Sequence, residues 1–174
     1  ILRTSDAKSA SASGLSVAEA RSIVAAVSQG SIGDVAIVQT PTGSGIVAVH
    51  DERKSGTTHL FMMEKRGIGY RISSRSPLDV PGFRGATWTT EMLDADGDGY
   101  AEVLFRGTAP SGHPSGYRLV LFVPRTRQTY SVRVEAAYPG VKQTRGIWSA
   151  NAATPTAARY RRVLAQHVRA ADAF

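Results

Sequence analysis

The chain has 174 residues, of which 42% are hydrophobic and 20% charged, with a formal net charge of +7. Those proportions describe a globular chain long enough to bury a real core. No apolar run reaches the ~20 residues of a membrane helix, and the absence of Cys rules out disulfides and thiolate metal sites.

The first residue is Ile1, not Met, which suggests a mature or trimmed chain whose signal peptide has been removed. Residues 1–13 are small and polar and read as a flexible leader, leaving 14–174 as a single domain. Arg far outnumbers Lys, which occurs only at Lys8, Lys54, Lys65 and Lys142, a usage that points to a GC-rich bacterial source.

Residues 14–30 predict a helix. Ser16 caps it, and Glu19 three residues later completes a capping box. Ala20, Ile23, Val24 and Val27 fall on one face, and Gly30 marks the stop. Eight β-prone runs follow, near 34–40, 45–51, 57–65, 69–75, 86–93, 100–106, 116–123 and 128–136. The connections PTGS, KRGI and PRTR are hairpin-sized, and no helical crossovers separate the runs, so the strands are expected to be antiparallel. Residues 154–174 predict a closing amphipathic helix. Thr154 is its expected cap, Pro155 suits the first turn, and Tyr160, Val163, Leu164, His167, Val168 and Ala171 share a face. The expected fold is therefore α+β: a mostly antiparallel β meander of about eight strands in two quasi-repeated four-stranded units, with an N-terminal and a C-terminal helix. The repeat is suggested by laying 38–49 over 92–103 without gaps, which matches Gly43 to Gly97, Gly45 to Gly99 and Val49 to Val103.

Charge is uneven along the chain. Residues 1–102 hold 10 basic and 12 acidic groups, whereas residues 103–174 hold 11 basic and only 2 acidic groups. Such asymmetry is expected of a surface that meets an anionic partner, or of a solvated face. The arginines of the last helix lie mostly off its apolar face, which favours solvation over nucleic-acid binding.

Against this basic background the stretch MLDADGDGYAEVLF (92–105) holds Asp94, Asp96, Asp98 and Glu102. Counting Asp94 as position 1, acids fall at 1, 3, 5 and 9, and Gly99 falls at 6. Alternate residues in a tight loop can turn their oxygens inward, and Tyr100 at position 7 would offer its backbone carbonyl. Hard oxygen donors in that order suit Ca2+, which takes about six to eight oxygens at about 2.3–2.6 Å. Four carboxylates crowded together would otherwise repel one another. The expected ligands are Asp94, Asp96, Asp98, Tyr100 and Glu102. Phe105 at position 12 replaces the bidentate Glu of a helix–loop–helix calcium site, and the flanking residues read as strands.

Over residues 86–106 the chain resembles the calcium-binding hairpin of FG-GAP and VCBS-type repeats, also found in integrin α-subunit propellers. In that family an apolar strand enters a D-x-D/N-x-D-G-x-x-D/E loop and an apolar strand leaves it. Asp94, Asp96, Asp98, Gly99 and Glu102 occupy those positions here. The resemblance implies a bound Ca2+ and a periplasmic, secreted or cell-surface location.

Other constellations are less specific. Ser5-x-x-Lys8 matches an acylase motif without its companions. His50, His59, His113 and His167 have no metal-ligand spacing, and Asp51–Glu52 reads as a hairpin turn. Glu91 and Glu102 could pair as catalytic carboxylates, but Glu102 is better used by the metal. Trp88, Trp148 and Tyr138 could stack on sugars, or fill core and rim. The Gly/Pro/Ser-rich stretch 106–117 and residues 137–150 read as loops suited to contact. The expected function is a non-enzymatic, extracytoplasmic bacterial module that binds a protein or an anionic envelope polymer, in a specific version an inhibitor or immunity protein against a cell-wall hydrolase. The alternatives are an adhesion or structural fragment of a larger FG-GAP-like surface protein and, ranked last, a metal-dependent hydrolase.

Overall fold

The computed structural model describes residues 14–28, 30–52, 57–78, 86–108, 116–135 and 145–171. The expected leader, Tyr138, His113 and most of both contact loops lie outside these residues.

Helix α1 (Val17–Val27) forms where the capping box predicts it: the Ser16 side chain accepts from the Glu19 amide while the Glu19 carboxylate accepts from the Ser16 amide. Ala20 and Val24 are fully buried. Ile23 is half-buried and Val27 is exposed, so the apolar face is narrower than its periodicity suggests. The helix stops at Ser28, and Gly30 instead opens the first strand.

Four strands follow, β1 (Gly30–Thr40), β2 (Gly43–Glu52), β3 (Thr58–Arg66) and β4 (Gly69–Pro77), paired antiparallel in chain order. A second sheet holds β5 (Thr87–Leu93), β6 (Glu102–Thr108), β7 (Gly116–Val123), β8 (Gln128–Glu135) and β9 (Arg145–Trp148), also antiparallel and in order. The α+β class and the two successive meanders are as expected. The second meander has a ninth strand within the stretch read as a loop. Asp51 and Glu52 close β2 instead of forming a turn, and Asp51 accepts a 2.6 Å bond from the Thr58 hydroxyl. The ungapped overlay of the two hairpins is not kept in register: Val49 faces Asp34, whereas Val103 faces Met92. A two-residue turn joins β1 to β2, whereas eight residues separate Leu93 from Glu102, and that longer loop shifts the pairing.

The sheets pack face to face. Ala36, Val38, Val47, Val49, Leu60 and Met62 of the first meet Trp88, Val103, Phe105, Val120 and Phe122 of the second. Helix α1 covers the outer face of the first sheet, over Val35, Ile37, Ile46, Ala48, Phe61 and Met63. Helix α2 (Ala158–Ala171) covers the outer face of the second, placing Tyr160 and Leu164 over Leu104, Leu119, Leu121 and Tyr130. The layers therefore run α, β, β, α. Strands buried on both faces read as continuous apolar runs such as LVLFV (119–123) instead of alternating ones. Before α2, Pro155–Ala157 form a 3-10 turn, and the Thr154 hydroxyl donates to the Asn151 carbonyl instead of capping the helix. Among the described residues no helix is long and apolar enough to cross a membrane.

Candidate metal centre

The loop between β5 and β6 starts at the end of one strand and finishes at the start of its partner, so its two ends are fixed by the pair Leu93↔Glu102. Within it the chain turns twice through left-handed backbone, at Gly97 (φ +76°) and Gly99 (φ +85°). A side chain there would meet open space, so glycine is needed for its backbone freedom and not for room.

The turns wrap the backbone around the first aspartate. Asp94 Oδ1 accepts from the amides of Gly97 (2.8 Å) and Asp98 (3.1 Å), and its Oδ2 accepts from Gly99 (3.1 Å). Asp96 Oδ1 accepts from the Asp98 amide at 3.2 Å. Asp98 Oδ1 accepts from the Tyr100 amide at 2.9 Å, and this bond is the main reason its pKa falls below the usual carboxylate value. The Arg125 guanidinium, 2.9 Å from Asp98 Oδ2, lowers it further.

Glu102 behaves differently. It is 2% exposed at the start of β6, and its Oε2 accepts from the Ala95 amide at 2.6 Å. Burial pushes its pKa up to about 7, with Asp96, Asp98 and Asp94 adding repulsion. Asp94, Asp96 and Glu102 each present an oxygen within 4.8 Å of the others. Oxygens around one Ca2+ lie no further apart than about 5 Å, twice the bond length, so these three can share an ion. Asp98 falls outside this triad and is held by Arg125. Tyr100 lies in the loop with its ring exposed, and the Arg125 guanidinium sits 5.9 Å from the ring centroid.

Three neighbours of the loop come from distant sequence and have no motif that announces them. The Tyr160 hydroxyl of α2 donates to Asp96 Oδ2 at 2.9 Å, and Arg159 lies 3.6 Å from the same oxygen. Burial, with the Asp96 bond next, raises the Tyr160 pKa and keeps the phenol protonated. Arg125, from the β7–β8 turn, is the third. Apolar periodicity identifies Tyr160 as a core residue but gives no sign of its carboxylate partner.

The remaining sequence candidates do not converge here. Trp88 is a core residue between the sheets. Glu91 pairs with His167 at 3.4 Å on the surface, away from Glu102 in register. His50 and His59 stack on each other at 5.7 Å between centroids, on the first sheet. No family model, no curated protein and no solved structure matches this chain.

Proposed function

We propose that the protein is a non-enzymatic calcium-binding module that acts outside the cytoplasm, in the periplasm or at the cell surface, by engaging a protein partner. In the specific form we favour, it is a bacterial inhibitor or immunity protein whose partner is a cell-wall hydrolase. The observation that carries the reading is the convergence of Asp94, Asp96 and Glu102 within 4.8 Å on the β5–β6 hairpin. A carboxylate as buried as Glu102 gains most from a divalent cation beside it, and that cation relieves the repulsion among all three. Asp98 and the Tyr100 carbonyl complete the set once Arg125 yields Asp98. The ion staples β5 to β6 and, through Asp96 and Tyr160, to α2. The resemblance to FG-GAP and VCBS-type hairpins agrees with this role. Calcium loops of modest affinity work outside cells, where free calcium is near the ~10⁻⁴–10⁻³ M range of extracellular modules.

The proposed contact surface is the exposed basic side of α2 beside the loop, with Arg161 and Arg162. It suits a partner with an acidic face. The test is a pull-down from envelope extract in calcium, in chelator, and with the double variant Arg161→Glu/Arg162→Glu. A partner captured by the wild type in calcium and lost with the double variant supports the reading. Unchanged capture by the double variant refutes the surface. Calcium titration that shows no binding to the wild type, with a melting curve unmoved by chelator, refutes the metal.

A further inference from the structure

On the far side of the molecule, a cleft of about 220 Å³ opens where the C-terminal end of α1 passes over the outer face of the first sheet. Phe61 is part of its wall and is 1% exposed; Val27 and Ile72, 46% and 48% exposed, also line it. These three side chains supply the apolar part of the lining. The rest of it is polar. His50 lines the cleft and is 5% exposed, and its Nδ1 has no hydrogen-bond partner among the described residues. The Ser28 hydroxyl, also lining the cleft, is buried and equally unpartnered among them. Buried polar atoms without partners are uncommon, because each loses its bonds to water unless something replaces them. Two of them beside one cavity point to a missing ligand.

Two further lining groups fix the ligand's charge. The Arg75 guanidinium and the Glu52 carboxylate pair at 3.2 Å, with the His59 ring 3.6 Å from the same carboxylate. Burial and the nearby Arg75 hold the His50 pKa below its ordinary value, so the imidazole is neutral at pH 7. The lining is therefore one cation, one anion and two neutral polar groups. A ligand of net charge would leave that charge uncompensated. A zwitterion can place its carboxylate by Arg75 and its ammonium by Glu52 and leave the balance at zero. The volume lies below the roughly 300–1,000 Å³ of a drug-sized site and holds a molecule of about ten non-hydrogen atoms at protein packing density.

We propose that this cleft binds a small zwitterion with an apolar side chain, the chemistry of a free hydrophobic α-amino acid. The side chain packs on Phe61, Val27 and Ile72, and the polar head supplies partners for Ser28 and His50. This site is independent of the calcium loop.

The test is calorimetric and NMR titration of the full chain with L-leucine and L-phenylalanine. 4-Methylpentanoate, which lacks the amine, and isopentylamine, which lacks the carboxylate, are the matched controls. The expected result is saturable binding of an amino acid, at least about tenfold tighter than either control, with shifts at Phe61 and His50. Arg75→Gln should weaken it at least about tenfold, the loss of one charge-assisted contact. Ile72→Trp, on the exposed edge strand β4, should block the cleft and abolish binding while leaving the melting temperature near that of the wild type. Absence of saturation up to about 50 mM overturns the proposal, since that limit is weaker than about 2 kcal/mol of binding. Equal binding of either control overturns the zwitterion assignment, and undiminished binding to a folded Ile72→Trp variant overturns the location.

Discussion

Glu102 concentrates the physics of the loop in one side chain. Its folded pKa of about 7 lies above the ordinary value of 4.5, so the folded state holds a proton that the unfolded state releases. The contribution of Glu102 to metal-free stability therefore falls as pH rises from about 4.5 to about 7 and changes no further above that, a loss on the order of 3 kcal/mol. On the proposed reading, bound calcium keeps the group ionised and removes that slope. The increase in melting temperature on adding calcium should thus grow between pH 5 and pH 7.5, and calorimetry in buffers of different ionisation enthalpy should detect proton release near pH 6. Glu102→Gln keeps an acceptor for the Ala95 amide but no charge. It should melt higher than wild type in chelator at pH 8 and respond little to calcium. A variant that still gains the full calcium shift would show that Glu102 is not a ligand. Arg125 tests the opposite case, since it occupies Asp98 as a built-in cation. Arg125→Gln should tighten calcium binding by a few-fold at low salt, and the gain should shrink at high salt, because the site then loses a competing charge. Weaker binding would mean that Arg125 positions Asp98 instead of competing for it.

At the scale of elements, Trp88 decides how the sheets meet. It projects from β5 over two glycines, one on β1 and one on β6: a Cβ at Gly33 would lie 2.6 Å from Trp88 Cδ1, and one at Gly107 would lie 2.6 Å from Trp88 Cη2. Gly107→Ala should therefore cost about 1–3 kcal/mol by overpacking, read as a drop of about 2–4 °C per kcal/mol in a chain of this size. Combining it with Trp88→Leu should recover part of the loss, whereas simple additivity would place the clash elsewhere. Neither glycine is singled out by the sequence, because a glycine in a strand shows that something passes close without saying what. The same limit explains what was legible. Ser16 and Glu19 specify α1 because the cap is local, and the order Asp94, Asp96, Asp98, Gly99 specifies the loop because its carboxylates and the amides they accept from are near neighbours. Strand β9 was hidden because RGIW is too short to show alternation, and it is defined by pairing with β8. Arg125, Arg159 and Tyr160 reach the loop only through tertiary packing. The cleft beside α1 likewise joins Ser28, Phe61 and Arg75, whose nearness follows from sheet order and not from spacing.

At the scale of the molecule, one core holds both sheets together. Because Val47, Leu60, Trp88 and Phe122 belong to the same buried cluster, neither meander can lose its inner face alone. Chelation should therefore shift a single cooperative thermal transition to lower temperature without splitting it, and coincident circular dichroism and tryptophan fluorescence curves would check this. Two separated transitions would mean that the meanders fold as independent units. The edge strand β4 carries a consequence of another kind. It is the least buried strand of its sheet, it bears Arg71 and Arg75 on exposed positions, and it ends at Pro77. On the second sheet the last strand is only four residues long. Charge and proline at one border, and brevity at the other, make poor templates for a neighbouring chain. Growth of each sheet by an added chain is thus opposed at these two edges, although the strands behind them are continuously apolar.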